Sequence, residues 1–217
     1  MNVDALLRQY FSPDAGICIE LFDDKNIQQV YRRLVGVLVH KPDVETSLLQ
    51  AMSYCFYEVM DNVLIHSGKT SGIVITKFSV QDNLIQILVA DDGMGIRASL
   101  AENDTFKDIS EPEALKLCVL DKISDGKGMG FGLYSTAKLI DTAGHRLIIR
   151  SGGYTLSANG ETTVTESEPW DGTVVYFELR SDKDIDPSSV VDYRTDPAEE
   201  FEELFLGTDS NPIDKLW

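Results

Sequence analysis

One stretch constrains this chain more than any other: Glu58-Val-Met-Asp-Asn-Val-Leu-Ile-His66. Its apolar residues Cys55, Phe56, Val59, Met60, Val63 and Leu64 recur at helical spacing and continue a pattern begun at Leu48 and Leu49. Glu58, Asn62 and His66 are four residues apart, so they share one side of that helix, with Asp61 close by. Burying such a polar row is costly unless something satisfies it. Either the row is a solvated helix face, or it lines a pocket whose ligand is its partner.

Composition narrows the choice of partner. The chain has 217 residues, enough for one large domain with appendages and for a core without disulfide or metal staples. Its net charge is −17, from 36 acids against 19 bases. That argues against general binding to nucleic acid or to an anionic membrane, both of which want basic surfaces. It leaves room for a small polyanion, because backbone amides and a metal can hold phosphates without a basic surface. No long uncharged apolar run predicts a membrane span, and the N-terminus lacks the pattern of a signal peptide. Cys18, Cys55 and Cys118 are isolated and form no CxxC, which predicts reduced thiols and a cytoplasmic protein.

Along the chain, a short helix is expected within residues 1–12, a strand over Gly16–Phe22, and a helix from Lys25 to about His40. A second helix starts near Asp43 and carries the Glu58–His66 stretch. Gly72–Val80 and Leu84–Ala90 read as strands flanking a turn at Gln81–Asn83. Residues 96–127 are polar, acidic and weakly periodic, apart from a short helix around Pro112–Leu120; so long a segment inside a compact domain reads as a lid. A helix opens within Gly126–Leu133 and runs to about Thr142. Arg146–Ser151 and Tyr154–Ser157 read as a hairpin around Gly152-Gly153, Ala158–Asp171 as a polar loop, and Gly172–Arg180 as the last strand. The tail, 181–217, holds 11 acids against three bases, with a short helix expected near 197–206 and an apolar stripe of Phe201, Leu204 and Phe205. That stripe either docks on its own domain or serves a partner.

Three further clusters carry chemistry. Asp91-x-Gly93-x-Gly95 lies at a strand end, Gly128-x-Gly130-x-Gly132-Leu133 at a helix start, and Gly172-Thr173 at the expected start of a strand. Each alone is compatible with a plain turn. Gly93-x-Gly95-x-x-Ala98 also fits a Rossmann fingerprint, but Asp91 and Asp92 would repel a pyrophosphate and no clear helix is expected to open at Ile96. The glycine run at Gly128 sits at a helix N-terminus, where free amides and the dipole favour phosphate.

In order and spacing, these clusters resemble the GHKL family of ATP-binding domains, which includes histidine kinases, anti-sigma-factor kinases, and the ATPase modules of gyrase, Hsp90 and MutL. Glu58-x-x-x-Asn62 with His66 looks like the N box, Asp91-x-Gly93-x-Gly95 the G1 box, Gly128-x-Gly130-x-Gly132-Leu133 the G2 box, and Gly172-Thr173 the last Gly-Thr. The resemblance covers about Gly16 to Arg180. It implies an α/β (α+β) two-layer sandwich of the Bergerat type, with helices on one face of a mixed, mostly antiparallel sheet. The expected organisation is an ATP-binding domain over 1–180, a lid at about 96–127, and an acidic extension over 181–217.

The same resemblance assigns roles. Asp91 would accept a hydrogen bond from the adenine amine, a contact guanine cannot reproduce; Thr173 would support it, and Gly93 and Gly95 would let the backbone pass close to base and ribose. Asn62 would ligate Mg²⁺ through its carboxamide oxygen. Gly128, Met129, Gly130, Gly132 and Leu133 would bring backbone amides to the phosphates, with Lys127 adding a charge. Glu58 resembles the general base that takes a proton from the attacking water or hydroxyl. His66 is either a phosphate-side residue or a helix-end histidine without ligand contact, and Asp61 is either a supporting residue or a solvated neighbour.

Neither His40, followed by Lys-Pro, nor His145, past Gly144, looks like a phosphoacceptor on a dimerisation helix. The compact form looks closest to bacterial anti-sigma or regulatory Ser/Thr kinases. That resemblance implies a regulatory protein partner, either a sigma factor, an anti-anti-sigma-like protein or another signalling protein, and is compatible with a homodimer. An ATPase or nucleotide-gated switch within a larger assembly is the alternative, and a non-catalytic nucleotide-binding regulator is a third. The long lid and acidic tail depart from the anti-sigma pattern.

Overall fold

The computed structural model describes residues 1–12, 16–127 and 132–190, together with Phe201 and Phe205. Its frame is a five-stranded sheet: β1 (Ile17–Asp23), β2 (Ser71–Ser79), β3 (Leu84–Ala90), β4 (Gly144–Asn159) and β5 (Glu161–Arg180), in the order β1-β2-β3-β5-β4. All four neighbouring pairs are antiparallel, so the mixed sheet expected has no parallel pair among the described strands. That topology also removes the Rossmann alternative, which needs a parallel βαβ unit.

Side-chain alternation sends each strand's residues to two faces. Ile85, Ile87 and Val89 of β3, with Val175, Phe177 and Leu179 of β5, join the main core. Over this face lie α2 (Ile27–Val39), α3 (Thr46–His66) and α6 (Gly132–Ala143). The α3 residues Leu48, Leu49, Met52, Cys55, Phe56, Val59, Met60 and Val63 are all buried. Each large side chain among them contributes about 2 kcal/mol by leaving water, so the position of α3 is fixed by packing. The result is an α+β sandwich. One element goes beyond two layers: α1 (Val3–Tyr10) covers the opposite face, packing Leu6, Tyr10 and Phe11 on Ile73, Ile75, Leu88, Val174 and Tyr176.

Three expectations are corrected. First, a short helix, α4 (Gly95–Leu100), does open directly after the Asp91 loop. It is followed by a 3-10 turn at Asp104–Phe106 and by α5 (Glu111–Leu117), which Ser110 and Glu113 cap reciprocally. Leu100, Ala114, Leu115 and Cys118 are buried, so much of 96–127 is folded onto the domain. Second, Gly152-Gly153 is no turn. β4 runs straight through it with a register irregularity, Gly152 takes a positive φ of 57°, and the Glu111 carboxylate of α5 accepts a hydrogen bond from the Gly153 amide at 3.0 Å. Third, the turn is at Gly160 (φ 75°), and the expected loop 158–171 is mostly the first half of β5. An Asn-Gly turn followed by Thr162, Thr163 and Thr165 is a hairpin signal hidden by the polarity of the segment. Gly172 therefore sits inside a long strand rather than at its start.

Beyond the sheet, Ser181–Val190 runs back along α3: the Glu45 amide donates to the Ser181 carbonyl at 2.9 Å, and the Ser47 hydroxyl donates to Asp184 at 2.8 Å. Of the helix expected near 197–206, only Phe201 and Phe205 are among the described residues. Phe201 is buried in the main core, and the Phe205 ring stands 5.8 Å from that of Tyr31 on α2. These two aromatics dock on the domain itself. Cys18 is exposed and Cys55 and Cys118 are buried, all three as free thiols. No described helix is long and apolar enough to cross a membrane.

Candidate functional site

A cavity of about 410 Å³ opens between α3, the end of β3, the middle of β5 and the 96–127 segment. Glu58, Asn62 and His66 line it from α3. Asp91, Gly95 and Thr173 line it from the sheet. Lys127, Gly132 and Leu133 close it from the third side. Nine sequence-predicted positions, scattered over more than a hundred residues, thus meet around one space. Gly93 does not line the cavity, but its amide holds Asp91, which does. Gly128, Met129 and Gly130 lie outside the described residues.

The sheet end of the cavity is made by backbone. β3 ends at Ala90 and delivers Asp91, which is 2% exposed. The Gly93 amide donates to Asp91 Oδ1 at 2.7 Å, and the Asp91 amide donates to the Thr173 carbonyl at 2.9 Å. Two glycines make this possible. A side chain on Gly93 would run into the backbone and Cβ of Ser67, whose carbonyl instead accepts from the Met94 amide at 2.9 Å. A Cβ on Gly172, which has a φ of 93°, would lie 2.6 Å from Asp91 Oδ1. Burial pushes the Asp91 carboxyl up to about 6, against the pull of its Gly93 and Thr173 backbone hydrogen bonds.

The helix end is made by side chains. Gly132, the first residue of α6, faces Glu58 and Asn62 so closely that a Cβ there would be 3.1 Å from Asn62 Nδ2 and from Glu58 Cβ. Neither Glu58 nor Asn62 has a hydrogen-bond partner among the described residues, although both are half-buried. Burial, and then the neighbouring Asp61, raise the Glu58 carboxyl above its ordinary value. Asp61 itself is half-buried and lines the cavity, its carboxyl raised by burial against the attraction of His66. Asn62 offers one hard oxygen, and no group of three or more His, Cys, Asp or Glu among the described residues forms a metal cage. One carboxamide oxygen with room for phosphates and water suits Mg²⁺, which takes few protein ligands.

Two of the expected residues already have partners. Lys127 is exposed, with its ammonium 2.5 Å from Glu102, while its backbone amide donates to Asp125 Oδ1 at 2.9 Å. His66 is at the end of α3 and does line the cavity, with Nδ1 at 2.7 Å from Asp125 Oδ2. Sequence reasoning missed Asp125 and Trp170, whose indole N–H donates to the Asp91 carbonyl at 3.0 Å. Trp170 carried no signal inside a presumed loop. Asp125 had a weak one, as an acid in the Asp-Gly-Lys run ahead of the glycines.

The arrangement suits an extended ligand: a buried acceptor at one end, and at the other polar groups without partners among the described residues, beside Gly132 of α6. No curated protein matches this chain. The family described as Histidine kinase-, DNA gyrase B-, and HSP90-like ATPase matches residues 49–183. That span is more than half of the chain and holds both ends of the cavity, so the chain belongs to the histidine kinase-, DNA gyrase B- and HSP90-like ATPase family and carries its ATP-binding domain.

Proposed function

We propose that this protein is a Mg-ATP-dependent regulator that transfers the γ-phosphoryl group of ATP to a hydroxyl of a partner protein. The observation that carries the reading is the pair Glu58 and Asn62, half-buried on one helix face, without partners among the described residues, and set against the first residue of α6. A few convergent polar groups on the wall of a largely apolar cavity are what a bound ligand uses for orientation.

In this reading Asp91 accepts the adenine amine, and Thr173 steadies it through the backbone. Gly93 and Gly95 keep side chains out of the path of base and ribose. Asn62 holds the magnesium ion, which when bound neutralises charge on the phosphates. Amides of Gly132 and Leu133 in α6, with those the resemblance assigns at Gly128, Met129 and Gly130, bind phosphate oxygens, and Lys127 exchanges Glu102 for them. Glu58, its carboxyl already raised by burial, takes the proton of the attacking hydroxyl. Residues 96–127 act as a lid that excludes water. The partner is a regulatory protein of the sigma-factor, anti-anti-sigma or related signalling kind, and a homodimer fits the compact form.

The test is incubation of the protein with γ-labelled Mg-ATP and each protein that co-purifies with it. Label on the partner supports the kinase. Free phosphate alone, with no labelled protein, replaces it with an ATPase or nucleotide-gated switch built on the same site.

A further inference from the structure

Asp125 is the most completely engaged carboxylate at the cavity, and none of the roles above uses it. Its side chain is 1% exposed. Oδ2 meets His66 Nδ1 at 2.7 Å and accepts from the Ser99 hydroxyl at 2.9 Å, while Oδ1 accepts from the Lys127 amide at 2.9 Å. These donors sit on three separate pieces of chain: the last residue of α3, the short helix α4, and the segment that leads into the glycine run. A buried carboxylate needs such donors. Burial pushes Asp125 up, but the Lys127 amide, His66 and Ser99 together hold it below its ordinary value, so it is an anion.

An anionic Asp125 makes Nδ1 of His66 the donor and fixes the plane of the ring. Nε2 is left without a partner among the described residues, on a side chain that lines the same cavity as Glu58, Asn62 and Lys127. We propose that Asp125 is a positioning residue of the nucleotide site: it pins His66 through Nδ1 so that Nε2 meets the triphosphate, and it ties the end of the 96–127 segment to the same wall. A ring already held at one nitrogen binds phosphate at the other without losing rotational freedom on binding. The inference rests on the ATP-site reading above.

Three variants test it: Asp125→Asn, which keeps the shape and an acceptor for the Lys127 amide; His66→Ala; and Ser99→Ala. The first readout needs no nucleotide. Ring-nitrogen NMR of the full chain, assigned with His66→Ala, should show His66 protonated at Nδ1 in the wild type and altered in Asp125→Asn. The second is calorimetry with Mg-ATP and with adenosine. Asp125→Asn and His66→Ala should each weaken ATP about tenfold, as loss of one charge-assisted contact does. Adenosine affinity should stay within about twofold, and the double variant should be no worse than either single one. Ser99→Ala should keep ATP affinity within about threefold. The inference is overturned by unchanged ATP affinity in Asp125→Asn, by an equal loss of ATP and adenosine, or by a Ser99→Ala loss matching that of Asp125→Asn. A wild type that binds no ATP at all would instead overturn the proposed function.

Discussion

The two ends of the cavity are built by different means. At the sheet end, Asp91 is buried, its backbone is pinned to Thr173 and Trp170, and glycines at 93 and 172 sit where any side chain would collide. At the helix end, Glu58 and Asn62 have no partners among the described residues, Lys127 pairs with Glu102 at the surface, and only His66 is anchored, through Asp125. The proposed function gives the first end the base and the second the phosphates. A rigid recognition element suits a base whose shape never changes. Loosely held polar groups suit phosphates, whose charge and geometry change during transfer.

The contrast can be broken experimentally, most sharply at the helix end. Glu58→Ala should leave Mg-ATP affinity within about threefold and lower phosphoryl transfer by about 10²–10⁴-fold, the usual contribution of a general base. Wild-type rates in single-turnover assays would remove Glu58 from the chemistry. At the other end, Asp91→Asn should weaken ATP by about 100-fold, because an amide presents a donor where the adenine amine needs an acceptor. Its fold should survive, since the asparagine oxygen keeps the Gly93 hydrogen bond; undiminished binding by calorimetry would sink the adenine assignment. Gly172→Ala should cost about 3 kcal/mol of stability, near 10 °C in melting temperature, because it combines a strained φ with a collision against Asp91. An unchanged melting curve would show that the sheet end is less rigid than its contacts suggest.

The smallest expected effect is on pH. Burial pushes the Asp91 carboxyl up to about 6, and under the adenine assignment its ionised form is the stronger acceptor for the ligand's amine. Protons therefore compete with the base, and affinity falls as pH drops through 6, by about tenfold per unit below it, and is flat above. Adenosine, which has no phosphate to titrate, is the ligand to use, with NMR titration as the measurement. Asp91→Asn should abolish the slope; a slope that persists in that variant belongs to another group.

Much of this site was legible because its parts are local patterns. Glu58, Asn62 and His66 share a helix face by spacing alone, and Asp91-x-Gly93-x-Gly95 ends an apolar strand. The outer half of the ribbon of β4 and β5, and its continuity through Gly152-Gly153, were not legible. Its outer residues are threonines and acids, so the segment lacks the apolar alternation that marks a strand, and Gly152-Gly153 mimicked a turn. Within 96–127, α5 answers to the helix expected around Pro112–Leu120, but α4 was not legible, because it is too short to show a period; the burial of both comes from packing on β4 and β5.

By itself, the sequence carried the resemblance to the family and, through it, the residues of the two cavity walls. That resemblance rests on four short clusters, each written within a few residues, and on their order along the chain. Tertiary structure alone decided that α1 covers the second face, that β4 and β5 continue as one long ribbon, that Phe201 and Phe205 return to α2 and the main core, and that Asp125 reaches His66 across fifty-nine residues. Such pairings depend on which surfaces meet once the core has formed, and spacing along the chain does not encode them.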